Sequence, residues 1–441
     1  MKENKIISGF SKLDKTQKIK WLEQQLGLDS SIAGFLSSFE MQDNHFQRII
    51  SDLSENQLSN FHLPFGVAPN FLVNGEMKVF PLVTEESSVV AALAKAAGFW
   101  ASRGGFHAKV NGMEKRGQVH FLWNGNPEKL IQVFPVIQEK LLADVFLFTR
   151  KMESRGGGIM HTDLNYLPGI LPHYYQIDVA FHTCDAMGAN FINSCLEQFG
   201  KSLREFLSAQ ETWPQEERDC RVIMAILSNH VPESKVHVWV ECAVGDLVGD
   251  KDVQASYEFA ERFVMAVHIA KHDVSRAVTH NKGIFNGVDA LALATGNDFR
   301  AIEAGGHAFA VRDGHYAGLS EARINGGQFI FSMELPLSVG VVGGVTAIHP
   351  MARLAIQILE NPDARGLMQY LAVAGLASNW SAVRALVTTG IQKGHMKMHL
   401  SNILTVLQAT DEQKRAARLY FHDRDVNFAD VEHYLKSYAG Q

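Results

Sequence analysis

Cysteine is scarce in this chain: four residues, Cys184, Cys195, Cys220 and Cys242, among 441. They show neither C-x-x-C spacing nor the pattern of a disulfide framework, so a disulfide-stapled scaffold is not expected. Cys184 and Cys195 are expected as small core residues in a strand and a helix, and such usage suits a reducing, cytoplasmic setting. Long apolar runs are missing too. The nearest, Leu335 to Ile348, is broken by proline, serine and glycine and falls short of the roughly 20 apolar residues of a membrane span. Residues 1–28 are charged throughout without an apolar signal core, so neither a secretory leader nor a membrane anchor is expected. Positive charge is not in excess: 41 Lys and Arg stand against 47 Asp and Glu, a net charge of −6, which argues against a nucleic-acid partner. Neither G-x-G-x-x-G nor G-x-x-x-x-G-K-[ST] occurs, so a bound dinucleotide would not be held by the usual Rossmann turn. His349, His395 and His399 form no zinc signature with nearby acids, and no metal is expected.

What is present is the composition of an ordinary folded protein, 46% hydrophobic and 20% charged, long enough for two or three domains. Residues 1–60 read as helical, with a broken apolar stripe at Trp21, Leu22, Leu26 and Leu28. Asn74-Gly75 signals a hairpin between two apolar runs. Residues 88–103 are nearly free of charge and apolar on most faces, the pattern of a buried helix. Between 106 and 235 the order is strand, helix, strand, helix, strand, with the helices beginning after Asn126-Pro127 and after Gly188. That order suggests a small ferredoxin-like α+β module inserted into a larger domain, whose chain resumes near Val236. Residues 255–280 and 350–390 read as helical, and 326–349 as a strand followed by a glycine-rich turn. The tail, 401–441, reads as charged helix with apolar positions at Leu419, Tyr420, Phe421, Val426 and Val431.

Four local groupings carry chemistry. The run from Thr279 to His307 is Gly/Ala-rich, and between His280 and Asp298 its only ionisable groups are Lys282 and Asp289. If Lys282 and Asp298 meet in a cleft, each perturbs the other's proton affinity, and the lysine can hold a developing oxyanion. The plainer reading is a glycine-rich loop, a surface lysine and a helix-capping aspartate, with Asp289 as ordinary structure. Glu85-Glu86-Ser87-Ser88 precedes the apolar helix. Helix-terminal charge explains Glu85, whereas Glu86, nearer buried surface, can serve as an acid. Asp185 to Asn190 joins a strand to a helix, whose first N–H groups suit phosphate. Finally, His395 and His399 share a helix face at i and i+4, a pairing that serves packing or capping as readily as catalysis.

Taken in order, these groupings resemble one family: hydroxymethylglutaryl-coenzyme A (HMG-CoA) reductase, of the bacterial, soluble class II. The resemblance runs from about Glu55 to His399. It rests on Glu55-Asn56, Leu63-Pro64, Asn74-Gly75, the Glu-Glu-x-Ser-Val-Val-Ala-Ala stretch at 85–92 and Arg155-Gly156-Gly157-Gly158. It continues through Asp185 to Asn190, Leu227-Ser228-Asn229, Thr279 to Gly287, Ala294 to Asp298, Glu303-Ala304-Gly305, Val341 to Gly344 and Gly394-His395-Met396.

The resemblance implies an α+β fold with a large, mainly helical substrate-binding domain (1–112 and 220–390), an inserted ferredoxin-like cofactor domain (113–219) and a C-terminal helical flap (391–441). It implies a four-electron reduction of HMG-CoA to mevalonate and free coenzyme A with two reduced nicotinamide cofactors, as in isoprenoid synthesis. It further implies an obligate homodimer with active sites at the subunit interface. By position, Lys282 would stabilise the oxyanion of each hydride step, Glu86 would supply a proton to the carbonyl oxygen, Asp298 would hold and tune Lys282, and His395 would protonate the departing thiolate. Ser88, Arg276 and Asn286 would lie near the hydroxymethylglutaryl group and His399 towards coenzyme A. Asp185, Met187, Gly188, Ala189, Asn190 and Asn229 would line the nicotinamide side. Three places depart from the family: Gln57-Leu58-Ser59 follows Glu55-Asn56 in place of Val-Ile-Gly, Ser87 replaces a common proline, and the acid expected of NAD-preferring relatives falls near Thr149, followed by Arg150 and Lys151. The missing acid and the nearby cations favour NADPH over NADH. The rival readings are a coenzyme A thioester lyase or transferase without hydride chemistry, and a catalytically silent paralogue acting as a binding partner. The four filled catalytic positions argue against the second.

Overall fold

Asn74 and Gly75 both take positive φ, 49° and 88°, the combination that turns a two-residue hairpin with the right twist. In the computed structural model, which describes residues 8–29, 31–248, 252–388, 400–422, 424 and 426–438, they join β1 (Phe65–Val73) to β2 (Glu76–Val83) as an antiparallel pair. Ahead of them stand three short helices, α1 (Lys15–Leu26), α2 (Ile32–Ser38) and α3 (Asn44–Ser51). The expected stripe on the first is not buried, for Leu26 and Leu28 are exposed. After the hairpin, α4 (Val89–Ala101) buries Leu93, Ala96, Ala97 and Trp100, as its near absence of charge required.

A second sheet, ordered β3 (His107–Val110), β8 (Lys235–Ala243), β10 (Gln328–Pro336), β9 (Ser320–Asn325), is antiparallel throughout. Against it lie α8 (Val253–His272), α9 (Val274–Ala294) and α13 (Ala364–Val387). Of the 24 residues of α13, the run from Tyr370 to Trp380 is buried without a gap, which an Ala/Gly/Leu helix with few charges tolerates only at the centre of a core. Trp380 meets Trp100 at 4.9 Å and Phe263 at 4.8 Å between ring centroids, so the hairpin side and the sheet side share one hydrophobic cluster.

The inserted segment has its own core. Its four-stranded sheet, ordered β5 (Gly158–Tyr166), β6 (Tyr174–His182), β4 (Glu114–Trp123), β7 (Cys220–Ser228), is antiparallel. Helices α5 (Pro127–Glu153) and α6 (Ala189–Ser208) pack on it, with the short α7 (Gln215–Arg218) before β7. This is the expected ferredoxin-like order with one addition and one shift. Strand β5 has no counterpart in the sequence reading. The expected crossing at 219 falls just before β7, whose residues pair along β4, so the chain leaves this sheet after Ser228. Cys195 is buried in α6 as expected. Cys184 lies beyond the end of β6 at φ 49°, partly exposed, where its thiol donates to the Arg155 carbonyl.

Three further helices, α10 (Phe299–Phe309), α11 (Gly344–Ile348) and α12 (Pro350–Ile358), complete this part of the chain, α10 packing on β10 and α12 on α9 and β2. The C-terminal residues form a third cluster from helical residues 400–406 (α14), α15 (Asp411–Tyr420) and α16 (Phe428–Tyr438), with Leu404, Ala417, Phe421 and Val431 inside and Leu419 out. His395 and His399 lie outside the described residues. Among the described residues, no helix is long and apolar enough to cross a membrane.

Candidate active site

Helix α9 carries Lys282 in its third turn. Two buried polar arrangements fix the helix around that lysine. The Asn281 amide donates to the Ala317 carbonyl at 3.0 Å and accepts from the Leu319 N–H at 2.9 Å. His280 donates from Nε2 to the Ser320 hydroxyl at 2.6 Å, which donates in turn to Asn379 Oδ1 at 2.8 Å. Burial and the charge of Arg276 push the His280 imidazole down to about 4, so it is neutral and serves as a fixed dipole. Neither His280 nor Asn281 is assigned a role from sequence. Their signal was two polar residues on the inner side of a helix, which only burial makes meaningful.

The lysine side chain leaves this anchored helix towards the β2–α4 turn. There Lys282 Nζ donates to Glu86 Oε2 at 2.5 Å, joining residues 196 positions apart. The turn is shaped for it. Thr84 Oγ1 accepts from the Glu86 N–H at 3.1 Å, and Ser88 begins α4 at φ 77° with no side-chain cap. Lys282 and Glu86 are 59% and 38% exposed, and an ion pair so open to water contributes only about 0–1 kcal/mol to stability. Stability therefore does not account for holding a lysine and a carboxylate together at this distance.

Asp298 does not meet Lys282. Its Oδ1 accepts from the Arg300 and Ala301 N–H groups at the start of α10 and pairs with Arg300 Nε at 3.2 Å, the arrangement of a helix cap. Asn286, half-buried, follows Lys282 by one turn on the same face. Arg276 lies six residues before Lys282, which puts it roughly 120° round the helix at about 100° per residue, half-buried near His280.

Asp289, set aside from sequence, is the most perturbed carboxyl here. Burial, then Glu303 through charge and a hydrogen bond, then the charge of Glu85 raise it to about 8, so it is mostly protonated at neutral pH. Its interaction with Glu303 links α9 to α10, while its Oδ1 is buried without a hydrogen-bond partner.

A second constellation gathers at the end of β6. Gly188 starts α6 at φ 88°, with no side-chain cap, and a Cβ there would lie 2.4 Å from Thr183 Cγ2, so only glycine fits. Asp185 is an anchor: its Oδ1 accepts from the Ala364 N–H at 2.9 Å and its carbonyl from the Val341 N–H at 2.8 Å. A Cβ on Gly340 would come within 2.3 Å of the Met187 nitrogen, so the 185–190 turn and the 339–344 loop lie backbone against backbone. Gly340 in turn donates its N–H to Asn297 Oδ1 at 2.9 Å, next to Asp298. Asn190 is exposed and Ala189 half-buried in the first turn of α6. Asn229 is exposed, and its carbonyl packs against Gly305 of α10. Gly157 lies against the His182 carbonyl and the Cys184 sulfur, bringing Arg155–Gly158 to the same place.

One cofactor expectation fails on geometry. Thr149 is buried in α5 and its hydroxyl donates to the Phe146 carbonyl, so it faces the core and not a ligand. Its neighbour Arg150 is exposed in the last turn of α5, as is Lys151. Among the described residues, no three His, Cys, Asp or Glu side chains are arranged to hold a metal ion.

The chain as a whole is similar to known proteins. The family model described as hydroxymethylglutaryl-coenzyme A reductase matches residues 16–400. A 3-hydroxy-3-methylglutaryl-coenzyme A reductase of Archaeoglobus fulgidus is 33% identical over 425 residues, 95% of this chain and 91% of its own. A probable reductase of Borreliella burgdorferi is 30% identical across 91% of this chain and 89% of its own. Among solved structures, the class II reductase of Streptococcus pneumoniae, bound to NADPH in open conformations, superposes with a TM-score of 0.72 at 36% identity, covering 87% of this chain and all of that one. With the family model spanning most of its length, and both constellations built from the residues that carried the resemblance, the chain belongs to the hydroxymethylglutaryl-coenzyme A reductase family.

Proposed function

We propose that this chain reduces HMG-CoA to mevalonate and coenzyme A with two molecules of NADPH, and that the Glu86–Lys282 pair is the centre of its chemistry. The 2.5 Å contact between these residues carries the reading. Lys282 is positioned to hold the negative oxygen that develops in each of the two reductions, where a cation lowers the barrier. Glu86, sharing a proton with it, supplies that proton to the carbonyl oxygen. Asp298, which caps α10 without touching the pair, tunes Lys282 through its charge. His395 protonates the departing coenzyme A thiolate, a task for a group titrating near neutrality. Ser88, Asn286 and Arg276 line the hydroxymethylglutaryl side, with Arg276 the partner for its free carboxylate, and we assign His399 to coenzyme A binding.

The residues at the end of β6 fit a dinucleotide. An uncapped helix N-terminus, a glycine in the left-handed region and an exposed Arg150 and Lys151 supply donors and positive charge for phosphate. The bound cofactor supplies hydride. Asp185 to Asn190 and Asn229 orient it, and the exposed cations of α5 favour the 2′-phosphate of NADPH, the cofactor named for the pneumococcal structure. We divide the chain into a large domain (1–112 and 229–390), a small cofactor domain (113–228) and a C-terminal flap (391–441). We also assign it to the cytoplasm, in keeping with four free cysteines, and to a homodimer.

The test is a spectrophotometric assay of reduced nicotinamide. Oxidation of NADPH, strictly dependent on HMG-CoA and faster than that of NADH, is the expected result. Release of coenzyme A without oxidation of either cofactor would establish a lyase or transferase instead, and no reaction at all a silent paralogue.

A further inference from the structure

Strand β4 alternates without a break, every second residue turning inward. Val119, Phe121 and Trp123 fill that inner face as expected, but the same series begins with Lys115, which is 3% exposed. A buried ammonium is costly unless its donors are all engaged. Here Lys115 Nζ donates to Thr183 Oγ1 at 2.7 Å, to the Ala186 carbonyl at 2.8 Å and to the Met187 carbonyl at 2.9 Å, with the Val339 carbonyl at 3.4 Å. Every partner is a neutral oxygen. Burial pushes the amine down towards about 7, and the neighbouring Cys184 is the group whose charge opposes that shift. Four acceptors around one nitrogen nevertheless favour the ammonium, which alone brings three donors.

These acceptors come from two parts of the fold. Thr183, Ala186 and Met187 belong to the turn between β6 and α6, and Val339 to the loop that leaves β10. The Thr183 hydroxyl also donates to the Ala186 carbonyl at 2.7 Å. In a trans peptide the C=O and N–H point in opposite directions. Drawing the Ala186 and Met187 carbonyls inward therefore turns the N–H groups of Met187 and Gly188 away from the lysine, Gly188 being the residue from which the uncapped α6 starts. The cation and the helix terminus are two positive features on one turn; no side chain caps the helix, and the lysine's hydrogen-bond partners include no carboxylate.

We propose that Lys115 is a positioning residue for the dinucleotide: by holding the 183–188 turn against Val339 it presents that turn's N–H groups, and adds its own charge, to an anionic cofactor. The inference rests on the cofactor reading above. It makes cofactor affinity depend on a side chain that touches no cofactor atom.

The experiment compares full-length wild type with Lys115→Met, which keeps the side-chain length and removes the charge. NADPH binding is measured by nicotinamide fluorescence and HMG-CoA binding by calorimetry, with melting followed for each protein. Loss of the charge-assisted contacts should weaken NADPH by about tenfold or more while HMG-CoA stays within about twofold. Should the methionine variant fail to fold, Thr183→Val, which removes one acceptor at constant shape, should weaken NADPH alone by about threefold. Equal weakening of both ligands would make Lys115 a merely structural residue, and unchanged NADPH binding would remove it from the site. A wild type that binds HMG-CoA but neither dinucleotide would overturn the cofactor reading and this inference with it.

Discussion

Lys282 is unusual less for its contact than for how little else surrounds it. A lysine and a glutamate this exposed are seldom held at 2.5 Å for stability, so the two consequences of removing it should separate. Lys282→Ala is expected to lower kcat for the thioester and for mevaldehyde by at least about a hundredfold, the scale of losing an oxyanion donor. Its unfolding midpoint in urea should move little. Full activity on either substrate would take Lys282 out of the mechanism. Lys282 stands out in the sequence because charge is sparse around it, and Glu86 because it adjoins a nearly uncharged helix. The role of Asp289 does not stand out, because nothing in its spacing shows that it meets Glu303. With the folded carboxyl raised to about 8 from a usual 3.8, the unfolded chain loses its proton first as pH rises. The stabilising difference is therefore intact below about pH 4 and is lost progressively up to about pH 8. Asn imitates the protonated acid in both states. Asp289→Asn should thus gain in melting temperature over wild type as pH goes from 5 to about 8.5. A difference that stays constant across that range would mean that the carboxyl is ionised throughout.

At the scale of elements, the glycines of α9 explain why a run that reads as loop folds as helix. A Cβ at Gly287 would sit 2.3 Å from the Ala374 carbonyl, whereas one at Gly283 would meet nothing nearer than Ala382 Cβ at 3.8 Å. The first glycine lets α9 and α13 approach; the second only costs helix propensity. Gly287→Ala should therefore destabilise by about 1–3 kcal/mol through overpacking. Gly283→Ala should be neutral or stabilising by up to about 1 kcal/mol. Equal effects in denaturant titrations would show that the helix contact is looser than this. The buried α4, the Asn-Gly hairpin and the helices of the insert could be read from pattern because each has one continuous apolar face. Strand β5 could not. It lies at the edge of its sheet, pairing only with β6, and its burial follows no clean alternation, as edge strands with one free side allow. Thr149 failed for a related reason: counting back from the glycines fixes a position along α5 but not the face of the helix, and that face is the buried one.

For the whole molecule, the open question raised by the site is what keeps water from Glu86 and Lys282 during hydride transfer, since one chain leaves both partly exposed. The same chain leaves large apolar side chains uncovered on the outer sides of α8 and α9, among them Met265, Ile269, Val274 and Val278, and near the glycine loop Val342 and Val345. Scattered apolar residues need no explanation, but rows of them at i and i+4 on adjoining helices amount to a face. A second copy of the chain is the partner that we propose for it, with the two active sites completed where the copies meet. Sedimentation velocity should then give twice the mass of the chain. Ile269→Glu, which places a charge in the middle of that face, should shift the protein towards single chains, with HMG-CoA-dependent NADPH oxidation falling in step with the dimer fraction and the melting of the remaining fold little changed. If the variant sediments as one chain yet keeps full turnover, the sites are complete within a single copy, and the C-terminal flap alone must exclude water from the lysine. If the wild type already sediments as one chain, the apolar face has another purpose and the dimer is abandoned.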